Sequence, residues 1–185
     1  MKLTLKFLEN NKACGGGVDW FKNQSETDLR KICLELMEQH KSSWANWVLV
    51  RKMNRKQKIQ YAIYTAEQVI DIYEKKYRDD KRPREAINAA KKVLKSDTKK
   101  NRANAAAAYA AAYAAAAVAY ADAAAYAAAY AAAAAAYAAY ADAAVDAAYA
   151  AVDAAYAAAD ADDADDARKE MQIKIVKYGL RLIKA

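Results

Sequence analysis

The sequence contains few of the residues that make disulfide frameworks, sharp turns and most active sites. Its 185 residues include two cysteines, one proline, four glycines and one histidine. Cys14 and Cys33 are too few for a disulfide framework, and Met1 is followed by a lysine rather than by an apolar signal segment. We therefore expect a protein of the reducing cytoplasm.

A second absence is confined to one segment. Residues 105–167, which are 63 of the 185, consist only of Ala, Tyr, Val and Asp. The segment lacks the nucleophiles and bases of most enzymes, which argues against catalysis. Alanine has the highest intrinsic helix propensity and no Gly or Pro interrupts it, so the segment is predicted to be helical. Tyr and Asp recur too often for a membrane span, and we expect no membrane contact.

Charge divides the chain into three parts. Residues 1–104 carry 24 Lys or Arg against 13 Asp or Glu, residues 105–167 carry nine Asp and no cation, and residues 168–185 carry six cations against one acid. The sequence thus predicts a basic helical N-terminal part, an Ala/Tyr/Asp-rich helical segment and a basic amphipathic C-terminal helix with a broad apolar face for core packing. Because opposite charges attract, we expect one structural domain.

Periodicity predicts an all-α fold, in which short N-terminal helices form a compact bundle and pack against long Ala/Tyr-rich helices. The string Gly15-Gly16-Gly17 predicts a break in the chain. Ser25 or Thr27 is the expected cap of the helix that follows. Apolar residues at helical spacing, among them Ile59, Ile63, Ile70 and Tyr73, predict one continuous core helix over about 55–76. Pro83 is expected in the first turn of the next helix.

Within residues 105–167 the tyrosines change from one helical stripe to another, which predicts breaks near residues 121–125 and 141–144. After the second break, aspartates repeat every seven residues beside an apolar seam. This acidic row has three interpretations: it keeps the helix soluble, it pairs with the basic N-terminal helices, or it recognises a partner. The residues that we assign to partner binding are Asp142, Asp146, Tyr149, Asp153, Tyr156 and Asp160.

A short charged element surrounds the single proline. Asp79 and Asp80 precede Arg82 and Arg84, whose planar guanidinium groups bind carboxylates or phosphates in a bidentate way. In one interpretation, the acids cap the helix of Pro83 and pair with the arginines, so that the loop is fixed in place. In the other interpretation, Arg82 and Arg84 dock an acidic partner.

Several elements together resemble one protein family. They are Ala13-Cys14 with Gly17-x-x-Trp20-Phe21, Trp44-x-x-Trp47, Asp79-Asp80-x-Arg82-Pro83-Arg84-x-Ala86-Ile87, and the Ala/aromatic tail. This combination resembles the Imm-five-like putative immunity proteins, which are attributed to bacterial polymorphic toxin systems and also occur on phage-derived DNA. The resemblance implies an all-helical, non-catalytic protein of a bacterial or phage-infected bacterial cell, which binds and neutralises a toxin or effector protein.

Other functions are also compatible with the residues. Basic residues over 51–58 and 91–102 predict two ridges that could bind nucleic acid. A further alternative is a phage-borne anti-defence protein, which would bind a host defence effector or sequester a nucleotide signal. Identical alanine faces allow self-association. His40 and Cys33 lack further ligands, and the aspartates near residue 160 lack the spacing of a calcium loop, so we expect no metal site and no cofactor.

Overall fold

The computed structural model describes residues 1–120, 122–141 and 164–184, and in these residues it contains ten helices and no strand. The predicted all-α class is therefore confirmed. The helices are α1 (Leu5–Asn10), α2 (Gly15–Lys22), α3 (Leu29–Glu38), α4 (Ser42–Lys52), α5 (Arg55–Glu67), α6 (Ile70–Lys76), α7 (Arg82–Lys95), α8 (Lys99–Val118), α9 (Ala123–Ala141) and α10 (Ala164–Leu182).

The centre of the larger core is α9, which packs against α5, α6, α7 and α8. Every alanine between residues 127 and 139 is buried, and only Tyr130 and Tyr137 in that stretch are partly exposed. Methyl side chains are small enough for helices to approach from several directions at once. The aliphatic residues predicted to face the core, among them Ile59, Ile63 and Ile70, pack against these alanines.

A second core lies between α1, α2, α3, α4 and α10. The apolar face of α10 contributes Ile175, Val176 and Leu180, all buried, which confirms the expected core packing of the C-terminal helix. The helix lies close to α5 at Gly179, where an added Cβ would be 2.8 Å from the ring of Tyr61. The hydroxyl of Tyr61 donates a hydrogen bond to the buried amide oxygen of Asn46.

The structure corrects three local predictions. Gly15–Gly17 do not break the chain but form the first turn of α2, and the cap of α3 is Asp28 rather than Ser25 or Thr27. The predicted helix over 55–76 is two helices, because the chain turns at residues 68–69 between α5 and α6. The predicted interruption near residues 121–125 is confirmed, since α8 ends at Val118 and α9 begins at Ala123.

Ionic contacts tie both ends of α9 to the surrounding helices. At its beginning, Asp122 accepts a hydrogen bond from the backbone N–H of Ala125 and pairs with Lys76 of α6. Near its other end, Arg55 donates to the carbonyl oxygen of Ala139 and also pairs with Asp97, at 3.2 Å. These contacts connect α9 to α5, α6 and the loop before α8.

Candidate functional site

Arg82 of the charged element folds back on the loop that precedes it. Its Nε donates to Oδ1 of Asp80 at 2.9 Å and its Nη2 donates to Oδ2 at 2.6 Å, which is a bidentate ion pair. Oδ1 also accepts from the backbone N–H of Arg82, and Oδ2 accepts from the hydroxyl of Tyr73. The Asp80 side chain is only 19% exposed. The Arg82 guanidinium is the main reason that the pKa of Asp80 falls to about 2.

Arg84 reaches a different helix. Its Nε and Nη2 donate to the two carboxylate oxygens of Glu74 in α6, at 2.8 and 2.5 Å, and Nη2 also lies 3.3 Å from Asp71. Hydrogen bonding to Arg84 lowers the pKa of Glu74, and the same bond raises the pKa of Arg84. The element therefore connects the start of α7 to α6, while Asp79 is exposed beside it.

Pro83 lies in the first turn of α7, as predicted, and is buried. Its missing N–H costs nothing there, because the first N–H groups of a helix have no intrahelical acceptor. Both arginines thus have carboxylate partners within the fold. This geometry agrees with the interpretation in which the arginines hold the loop, and the alternative docking role remains untested.

The acidic row assigned to partner binding lies outside the described residues. It comprises Asp142, Asp146, Tyr149, Asp153, Tyr156 and Asp160, which fall between α9 and α10. Its assignment to recognition stays a prediction.

A surface that sequence analysis did not identify is formed by six tyrosines of α8, of α9 and of the turn between them, which we name the tyrosine strip. Each ring contacts the next along a row, and the distances between ring centroids range from 5.1 Å (Tyr109 to Tyr137) to 6.3 Å (Tyr113 to Tyr130). Tyr120 and Tyr113 are 78% and 51% exposed, far more than is usual for such large side chains. The strip runs in the order Tyr137, Tyr109, Tyr113, Tyr130, Tyr126 and Tyr120.

The two predicted basic ridges are partly engaged in internal contacts. Arg55 and Arg102 both pair with Asp97, and Lys91 lies 2.5 Å from Glu67. Residues of the first ridge also cover aromatic rings, since the Arg51 guanidinium lies 3.9 Å from the centroid of a Trp47 ring. Most cations of the first ridge are therefore half-buried, with Lys56 exposed. The cations of the second ridge are all exposed: Lys91, Lys92, Lys95, Lys99, Lys100 and Arg102.

The described part of the chain brings no group of three or more His, Cys, Asp or Glu residues together in an arrangement that would hold a metal ion. None of the helices in the same residues is long and apolar enough to cross a membrane.

The family comparison matches the region that contains this geometry. A family model described as "Imm-5 like putative immunity protein" matches residues 48–178, which is more than half of the chain. The chain belongs to this family. The match begins in α4, ends in α10, and includes both the charged element and the tyrosine strip. No curated protein and no solved structure matches the chain.

Membership of the Imm-5 like family confirms the resemblance drawn from the sequence. The earlier part of that resemblance, from Ala13 to Trp47, lies before the matched residues. Its aromatic residues belong to the second core rather than to the bundle around α9.

Proposed function

We propose that this protein is a non-catalytic, immunity-type inhibitor, which binds a toxin or effector protein and neutralises it. The observation that carries the proposal is the match of residues 48–178 to the Imm-5 like putative immunity proteins. An inhibitor of this kind acts by covering or distorting its target, so it needs a recognition surface and no reactive groups of its own.

The tyrosine strip supports the proposal because it has the chemistry of a protein-binding surface. Tyrosine provides a large contact area with little loss of side-chain entropy, and it is enriched among the residues that dominate binding energies. Val118, the last residue of α8, is 63% exposed and adds an apolar side chain between Tyr113 and Tyr120 in the sequence. Partner contact would remove these side chains from water.

Size indicates that the strip is only part of the interface. From Tyr126 to Tyr137 it extends along α9 for about 16 Å, at about 1.5 Å per residue. A stable interface buries about 800 Å² on each partner and involves about 20–30 residues. The strip leads toward the end of α9, after which the acidic row begins. We therefore assign to the interface both the strip and the row Asp142, Asp146, Tyr149, Asp153, Tyr156 and Asp160.

Charge defines the class of partner. Residues 105–167 carry nine Asp and no cation, and of these Asp122 pairs with Lys76 inside the fold. The other eight make the segment acidic in sequence, and an acidic recognition surface favours a basic surface on the toxin or effector and accelerates association at low salt. Carboxylates and phenols also supply acceptors for the Lys and Arg side chains of such a surface.

The test begins with capture of the partner by the tagged full-length protein from its bacterial host, with and without phage infection. A protein recovered in stoichiometric amount is then expressed in a growth assay, alone and together with the inhibitor. Growth arrest that the inhibitor relieves supports the proposal. Recovery of only nucleic acid or nucleotides, or of a protein whose activity is unaffected, contradicts it.

Site variants locate the interface once the partner is known. Tyr113→Ser with Tyr120→Ser is expected to raise Kd by at least about tenfold, because truncation of an aromatic hot-spot residue costs about 2 kcal/mol or more. The matched control is Leu5→Ser, which removes an apolar side chain of 36% exposure from α1, away from the strip. Equal affinity of both variants for the partner would exclude the strip from the interface.

A further inference from the structure

A cavity that is partly open to solvent lies in the second core. Its volume is about 460 Å³, within the range of small-molecule sites in proteins. Aliphatic side chains from α1, α3 and α4 line its interior. Well-packed interiors contain few voids larger than a water molecule, so a space of this size is not an ordinary packing defect.

Three indole rings line this cavity. Trp20 of α2 and both Trp44 and Trp47 of α4 contribute to its walls, and these are the three tryptophans of the chain. The Nε1 of Trp20 donates to the side-chain oxygen of Gln39 at 2.8 Å, which fixes the orientation of that ring. Indole faces favour offset stacking with another flat ring. The walls therefore suit a flat aromatic or similarly apolar body.

The charged residues that line the cavity are both cations. They are Lys12, which is exposed and has a φ of 57°, and Arg51, whose guanidinium lies over Trp47. Two more cations lie over aromatic rings of the same part of the fold, Lys41 at 5.8 Å from Trp44 and Lys52 at 3.6 Å from Phe7. An apolar cavity with a cationic lining is complementary to a ligand that combines an apolar body with one anionic group.

We propose that this cavity binds a small aromatic anion, whose rings lie among the three tryptophans and whose carboxylate, phosphate or sulfonate group faces Lys12 and Arg51. Cys14 also lines the cavity, and its thiol is exposed and free. The site goes beyond the proposed inhibitor function, and all of its lining residues except Val48 and Arg51 precede the matched region that begins at residue 48. Widely spaced sequence elements, from Ala13-Cys14 to Trp44-x-x-Trp47, converge at this cavity.

The test uses 8-anilino-1-naphthalenesulfonate, a fluorescent aromatic anion, on the full-length protein. We expect one dye per chain, quenching of tryptophan fluorescence with energy transfer to the dye, and slower alkylation of Cys14 by iodoacetamide. The thiol of Cys33 should not react with iodoacetamide in the folded protein, because it is buried and burial raises its pKa to about 12. The neutral N-phenyl-1-naphthylamine has the same rings without the anion and is expected to bind more weakly.

Two variants separate the apolar and the ionic parts of the site. Trp44→Ala is expected to weaken both dyes, whereas Arg51→Met is expected to weaken only the anionic dye, by about tenfold (~1.4 kcal/mol). The matched control Arg78→Met changes an exposed arginine that does not line the cavity. Circular dichroism and thermal melting of each variant verify that it is folded.

Three outcomes of the dye assays would overturn this assignment. They are dye binding without protection of Cys14, equal affinity of the wild-type protein for the two dyes, and an effect of Arg51→Met no larger than that of Arg78→Met. Displacement of the dye by the captured toxin or effector would also overturn it, since the cavity would then belong to the protein interface.

Discussion

Replacement of Arg82 by alanine should destabilise the fold without removing any core side chain. The bidentate pair with Asp80 is the main cause of the drop in the pKa of Asp80 from 3.8 to about 2. A shift of this size corresponds to at most ~2.5 kcal/mol. Arg82 is 38% exposed, so solvent screens the pair and we expect about 1–2 kcal/mol. For a chain of this length, that lowers Tm by roughly 2–8 °C.

The effect should depend on pH in a defined direction. A carboxyl whose pKa is lower in the folded state stabilises the fold above its unfolded pKa and loses this contribution as pH falls through its folded pKa. For Asp80 the loss therefore occurs between about pH 4 and pH 2. At pH 3 the difference between Arg82→Ala and the wild type should be roughly half of its value at pH 7.

Urea unfolding monitored by circular dichroism at pH 7 and pH 3 measures both quantities. Arg78→Ala is the matched control, because Arg78 is an exposed neighbour of the same loop. An equal loss at the two pH values would refute the ionic explanation, and no loss at all would refute the structural role. Adding Arg84→Ala should lower stability further by breaking the contact with Glu74. A double variant that melts like the wild type but no longer binds its partner would assign the arginines to docking.

Three further predictions concern other parts of the molecule. Gly179→Ala should destabilise the protein by about 1–3 kcal/mol in urea unfolding, because the added Cβ would lie 2.8 Å from the Tyr61 ring. This loss should exceed the gain from the higher helix propensity of alanine. Unchanged stability would show that α10 can shift. In the native protein at pH 8, Ellman's reagent should titrate one thiol, Cys14, and reach Cys33 only after unfolding; two fast equivalents would contradict the burial of Cys33. In the acidic row, the combined substitutions Asp146→Asn, Asp153→Asn and Asp160→Asn should leave the melting curve unchanged but weaken protection of cells against the toxin. Full protection by this variant would exclude the three aspartates from recognition.

Sequence periodicity predicted which residues are buried better than it predicted where helices end. Ile59, Ile63, Ile70 and Tyr73 are all buried, although they belong to two helices rather than one. The apolar spacing did not reveal the turn at residues 68–69, because both helices keep the same face toward α9. The glycine string led to the opposite error, because it predicted a break where a helix begins. The first turn of a helix tolerates Gly15–Gly17 better than its interior would.

The candidate sites were predictable only where contacts are local. The pairing of Asp80 with Arg82 spans two residues and follows from the string itself. The partner of Arg84 is ten residues away in α6, and the tyrosine strip needs the packing of α8 against α9. The cavity requires side chains from four helices at once. Such long-range contacts depend on how the helices pack against one another, which the spacing of residues within a single helix does not specify.

The alanine surface of α9 has a consequence for how this helix finds its place. Over its alanines, a slide or rotation of this helix by one residue would bring it against almost the same neighbours. Its register is therefore distinguished by a few other contacts: the rings of Tyr130 and Tyr137 meet tyrosines of α8, Lys76 pairs with Asp122, and Arg55 binds the carbonyl oxygen of Ala139. Two of these contacts come from cations outside the low-complexity segment, which thus help to determine the register within it.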